Sequence, residues 1–244
     1  STPIKSSAAS DVYKRQIENS KISEKNKIQN NQSMLDDIMN STQYPKQLKD
    51  LALKNEEALE FVYDYPAEHV KEHTIDLTEE ASMDSVPLFV QWDKRWGYEK
   101  YSGNFFAASG CGPTTLSMVV VYLTHNREAS PIAVAKYSKE AGYSVDGSGS
   151  SWTLISEGCM HYGVKAKAVA LDESRMKAEL DAGHPIVINV GPGDFTDTGH
   201  FMVITGYDDE GFSINDPNSI EKSGKRWLFK NISSQIRAVW SMYV

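Results

Sequence analysis

Cys111 stands between Gly110 and Gly112 and ahead of Pro113, in the stretch SGCGPTTLSMVVVYL that runs from Ser109 to Leu123. The nucleophilic form of cysteine is the thiolate, and an unperturbed thiol pKa of about 8.5 leaves little of it at neutral pH. A place at the head of a helix favours the thiolate, because first-turn amides lack partners and the helix dipole attracts negative charge. The stretch predicts that place. Pro113 suits a first turn, where the amide hydrogen it lacks would be unused. Leu116, Val119, Val120 and Leu123 recur at helical spacing, with Met118 and Tyr122 widening the stripe. The two small glycines would let a substrate come close to the backbone. A lone cysteine is more often core than nucleophile, so this reading requires a base and a group to orient it.

Six histidines are available. His69 and His73 stand four apart in an acidic connector and read as solvated surface residues, since no further metal ligands follow at matching spacing. His125 lies in a polar turn, and His184 precedes a proline. His161 sits two residues from Cys159, on a different helix face, so those two do not form a catalytic unit. His200 differs from the rest: it follows the loop GPGDFTDTG and opens the apolar strand HFMVITGY, a junction that fixes one side of the ring and exposes the other.

Asp216 ends the next strand, GFSINDP, where Pro217 makes the chain leave. With Asp209-Glu210-Gly211 as a three-residue turn, ideal pairing sets Asp216 opposite Ile204, on the face of His200 and roughly 13 Å away at ~3.3 Å per residue. Shear or a bend must close that gap. Asn215 is the alternative orienting group. Cysteine attacks as thiolate, imidazole pairs with it and later protonates the leaving amine, and a carboxylate or amide holds the tautomer. Gln91 is a side-chain amide that could donate to an oxyanion, beside the backbone amide of Cys111; it reads equally well as a turn residue.

These residues must be carried by elements the rest of the chain supplies. SPIAVAKYSKEAGY, WTLISEGCMHYG and DESRMKAELDAG predict helices, and VKAKAVA, HPIVINV, HFMVITGYD, GFSIND, RWLFK and AVWSMYV predict closely spaced strands, giving a largely antiparallel sheet. Helices first and sheet second make an α+β domain over 86–244. Upstream, 41–85 reads as an acidic helical extension and connector. Residues 1–40 read as a scar followed by a flexible tail, because SAASDVYKRQ (Ser7 to Gln16) resembles translated adapter sequence and 17–40 is polar with sparse apolar residues.

Net charge is −8, and residues 1–85 hold 10 Lys+Arg against 16 Asp+Glu. With no basic patch, nucleic acid and anionic membranes are not expected partners. No apolar run approaches the ~20 residues of a membrane span. Two cysteines, Cys111 and Cys159, make neither a disulfide framework nor a metal cluster, although they could pair with each other.

The motifs SGCGPTTLSM, GHFMVITGYDDEG and NDP, preceded by QWDKRWG, are similar to those of the papain-like cysteine peptidases of the bacteriocin-processing (double-glycine leader peptidase) family, in particular its stand-alone bacterial members. The resemblance covers about 86–244. It implies a papain-like fold with Cys111 as nucleophile, His200 as acid/base and Asp216 as the group orienting the imidazole. Family members with transporters carry the oxyanion glutamine shortly before the cysteine, where this chain has Asn104, Phe105 and Phe106, so Gln91 requires a long loop to fold back. The implied activity is cleavage of peptide or isopeptide bonds in a peptide or protein substrate, with no cofactor or metal; the oligomeric state is not read from the sequence, a monomer being the expectation. Acyl transfer by the same triad and a catalytically silent binding module are the alternatives. A secreted or surface-attached protein of a Gram-positive bacterium is expected, with no export signal in this chain.

Overall fold

The computed structural model describes residues 3–244 and falls into two compact units, one ending at Pro66 and one spanning Ala67–Val244. In the first unit, helix α1 covers Pro3–Asn40 and α2 covers Lys46–Lys54, followed by short turns of helix at Glu56–Ala58 and Leu59–Tyr63. The sequence reading expects a scar and flexible tail over 1–40, loosely helical or disordered from 17; over the described residues Pro3–Asn40 the structure has a continuous helix. Its physical basis is the absence of any Gly or Pro between Ile4 and Tyr44. Of the α1 side chains described, only Ile38 is buried. Leu48, Leu51, Leu59, Phe61 and Val62 bury the other short helices of this unit.

The second unit begins nearer the N-terminus than the sequence suggests. Leu77 and Ala81, expected in a connector, are buried in one core with Phe89, Trp96 and Val120. Burying each such large apolar side chain contributes about 1.5–3 kcal/mol, and that is why 67–85 joins this unit.

Helix α3, Cys111–Thr124, is the centre of the unit, and every residue from Gly112 to Val121 is buried. A helix apolar all round is a core helix, and two of its polar exceptions are bonded outward: Thr115 Oγ1 donates to Phe201 O at 3.1 Å and Ser117 Oγ to Ala129 O at 2.6 Å. Helix α4, Pro131–Glu140, packs on α3 and is capped by Ser130, whose hydroxyl accepts from Ala133 N. The WTLISEGCMHYG segment forms two short turns, Thr153–Ser156 and Gly158–Tyr162, and stops at Gly163 with φ 76°, a left-handed position that glycine adopts without strain. Helix α5, Glu173–Asp181, starts at the Asp172 cap.

Six strands follow the expected order: β1 Lys165–Ala168, β2 Ile186–Val190, β3 His200–Asp208, β4 Gly211–Asn215, β5 Arg226–Trp227 and β6 Ile236–Tyr243. They form one sheet ordered β1-β6-β2-β3-β4-β5, antiparallel throughout. RWLFK gives only the two-residue β5, because Phe229–Ile232 turns into helix. One sheet face, with Val187, Phe201, Val203 and Trp240, packs on α3. The other, with Ile186, Ile188, Met202, Ile204 and Ile214, packs on Met176 of α5 and on Ile232. Being covered on both faces, β2 is buried at all five residues. The α+β arrangement is the one the sequence predicts.

Candidate active site

Cys111 is the first residue of α3 and is half-buried. The glycines beside it are required by space: a Cβ on Gly110 would lie 2.5 Å from the Phe106 ring, and one on Gly112 2.8 Å from Ser150 Oγ. The neighbours of the thiol therefore press against the backbone at this point, which fixes where the helix starts.

His200 opens β3 opposite Val190 and is 5 % exposed. Its Nε2 lies 2.6 Å from Asp216 Oδ1. An ionised carboxylate only accepts, so Nε2 carries the proton and Nδ1 is the nitrogen left for a further partner. Asp216 is 1 % exposed, and its Oδ1 also accepts from Asn218 N at 2.8 Å.

The gap foreseen between His200 and Asp216 closes in two steps. Asp208 pairs with Gly211, so the turn has two residues, Asp209 and Glu210, and not three. A register shift between Ile204 and Gly206 then moves Ile214 opposite Ile204 and Asn215 opposite Val203. Continued one residue, that register sets Asp216 opposite Met202, two positions from His200, or about 7 Å along the strand. Side chains at that diagonal spacing reach each other. The bulge at Thr205 is what the sequence does not announce.

Asn215, the alternative orienting group, points elsewhere. Its Nδ2 donates to Val86 O at 3.3 Å and to Pro87 O at 3.1 Å. It thereby pins the segment that carries Gln91, and the expected long fold-back takes place: Gln91 N donates to Pro217 O at 2.7 Å and Trp92 Nε1 to Asn218 O at 3.1 Å. Gln91 is 2 % exposed, and its Nε2 donates to Ala107 O, four residues before Cys111, at 2.9 Å. That bond uses one of the two amide hydrogens.

The electrostatics follow from the geometry. For His200, burial is the largest influence and pushes its pKa down; the charge and hydrogen bond of Asp216, then those of Cys111, outweigh it and carry it up to about 10. For Cys111, burial again is largest and raises the pKa, but the His200 hydrogen bond and charge and the Phe201 N–H donated to sulfur bring it below the ordinary thiol value. Both shifts act towards a thiolate beside an imidazolium. Phe201 is the participant that sequence reasoning missed, although its place directly after His200 was a signal that the neighbouring amide would face the same site.

The remaining chemistry-bearing residues lie apart. Cys111 and Cys159 are both free. Cys159 is fully buried, and burial pushes its thiol up to about 11. His161 stacks on Tyr137 with ring centroids 3.9 Å apart. His73 bonds Glu68 O through Nε2 at 2.9 Å. Among the described residues, no group of three or more His, Cys, Asp or Glu is placed to hold a metal ion, and no helix is long and apolar enough to cross a membrane.

Residues 83–244 match the model of the Peptidase_C39-like family. No curated protein matches the sequence. Solved structures similar to it include the following two. One is the peptidase domain of Streptococcus ComA, described as a bi-functional ABC transporter involved in a quorum-sensing pathway: 19% identity, 65% of this chain and 96% of that one, TM-score 0.46. The other is a C39-like peptidase from Bacillus anthracis: 19% identity, 65% of this chain and 95% of that one, TM-score 0.39.

Proposed function

The chain belongs to the Peptidase_C39-like family and is a cysteine peptidase, and on that premise we propose that Cys111, His200 and Asp216 form its catalytic triad. The observation that carries the proposal is the buried His200–Asp216 bond of 2.6 Å, on an imidazole that lowers the pKa of the Cys111 thiol. Cys111 sulfur, as thiolate, attacks the scissile carbonyl carbon, and the carbonyl π electrons move to oxygen. The Cys111 backbone N–H and the second hydrogen of Gln91 Nε2 stabilise that oxyanion. Collapse breaks the C–N bond while His200 Nδ1–H protonates the leaving amine. The now neutral Nδ1 takes a proton from water, whose oxygen attacks the thioester carbonyl. Breaking the C–S bond releases the carboxylic acid and restores the thiolate–imidazolium pair. Asp216 keeps the proton on Nε2 throughout. The proton given to the leaving amine is replaced by the one taken from water, so the cycle balances.

The test is the pH dependence of Cys111 alkylation by iodoacetamide in the native protein and in His200→Ala. Rapid labelling well below ~8.5 that is lost in the variant supports the triad. Labelling that rises only near that pKa, and is indifferent to His200, refutes it.

A further inference from the structure

His200 is delivered by a loop with little side-chain mass of its own. The nine residues between Val190 and His200, GPGDFTDTG, include three glycines, and glycine gives up the most backbone freedom on being fixed. Phe195 anchors the middle of the loop, buried against Trp227 with ring centroids 4.6 Å apart. The two ends are held by side chains from another strand.

Those side chains are Gln235 and Arg237, where the chain enters β6. Gln235 grips Asp194 twice: its Oε1 accepts from Asp194 N at 2.8 Å and its Nε2 donates to Asp194 Oδ2 at 2.6 Å. Arg237 Nη2 donates to Val190 O and to Thr198 O, each at 3.2 Å. Val190 is the residue opposite His200, and Thr198 lies two residues before it. The two hydrogens of one planar nitrogen thus tie the residue before the loop to the last but one within it. Glycine leaves the room for the guanidinium: a Cβ on Gly199 would lie 2.6 Å from Nη2, and one on Gly191 3.2 Å from Nε. The strand is also bent to aim it. Ile236 pairs with Val190 and Ala238 with Asn189, so Arg237 is the extra residue of a β-bulge, a device that re-aims a side chain.

We propose that Arg237 is a positioning residue for His200: by clasping Val190 O and Thr198 O it sets the angle at which the imidazole leaves β3 towards Cys111. The proposal rests on the assignment of His200 as the partner of Cys111. Arg237 acts through the backbone of the loop, not on the reacting atoms.

The test follows iodoacetamide alkylation of Cys111 against pH in the full chain, in Arg237→Met, Arg237→Lys and Glu179→Gln, with Tm measured for each. Arg237 is exposed, so Arg237→Met keeps the stem and the core and removes only the donors. Glu179 is a polar staple of a different kind, joining α5 to Lys167 of β1 at 2.7 Å and to Ser241 of β6 at 2.9 Å. Arg237→Met is expected to slow alkylation near pH 6 by about 10-fold or more, within the scale of a small misplacement of a catalytic group, and Arg237→Lys to recover part of the loss. Glu179→Gln is expected to lower Tm and leave the profile in place. The Arg237→Met shift should persist at ~1 M salt, where charges are screened within ~3 Å, because it arises from geometry and not from a lost charge. A native profile in Arg237→Met, a shift that salt abolishes, or an equal shift in Glu179→Gln overturns the positioning role. Native alkylation that rises only near ~8.5 strikes the pairing of His200 with Cys111 instead, and the positioning role with it.

Discussion

Asp216→Asn isolates the charge of the orienting residue, because asparagine keeps the shape and an oxygen that can accept from His200 Nε2–H. In the native protein the imidazole is carried from an ordinary 6.5 up to about 10, against the opposing effect of burial. At ~1.36 kcal/mol per pH unit that interval corresponds to about 5 kcal/mol, a ceiling because Cys111 shares in it. Asp216 supplies the two largest upward influences, so its neutralisation should cost the ion pair at least ~3 kcal/mol, the lower end for breaking a buried pair. That is roughly a 100-fold loss of thiolate reactivity near pH 6. The assay is the iodoacetamide rate constant from pH 4 to pH 10. The native ion pair persists between the depressed Cys111 value and about 10; in the variant the lower limb should move up by one unit or more and the upper limb down. Stability has a matching sign. A raised histidine pKa stabilises the fold fully below ~6.5 and ceases to do so as pH rises through about 10. The Tm deficit of the variant should thus be largest at pH 6 and shrink towards pH 10. An alkylation profile unchanged in Asp216→Asn would refute the reasoning.

Gln91→Ala should reduce kcat/KM by roughly 100-fold, the scale of one oxyanion donor, while leaving the pH profile of Cys111 alkylation in place; a loss of alkylation as well would show that Gln91 acts on the thiol. Gly112→Ala places a Cβ 2.8 Å from Ser150 Oγ and should destabilise the fold by about 1–3 kcal/mol, read as a lower denaturant midpoint. In the folded protein at pH 7, mass spectrometry after brief iodoacetamide treatment should find label on Cys111 alone, since Cys159 is fully buried with its thiol pushed up to about 11. Comparable labelling of both would contradict that burial.

The sequence by itself determined what depends on local pattern. Gly-Cys-Gly-Pro followed by an apolar run places a cysteine at the head of a core helix, because proline, glycine and helical periodicity act within a few residues. The strands from Lys165 onward, their antiparallel pairing and the loop-to-strand setting of His200 were legible for the same reason. The tertiary structure alone decided how these pieces meet. A two-residue turn and a bulge at Thr205 bring Asp216 to His200, and a bulge leaves no mark in period-2 alternation. Asp216 was the preferred orienting group in sequence with Asn215 its alternative, and the strand pleat sends Asn215 to Val86 and Pro87 instead. Gln91 reaches the segment before Cys111 through bonds to residues more than a hundred positions downstream. Contacts of that separation depend on how the whole chain packs, and no local residue pattern encodes them.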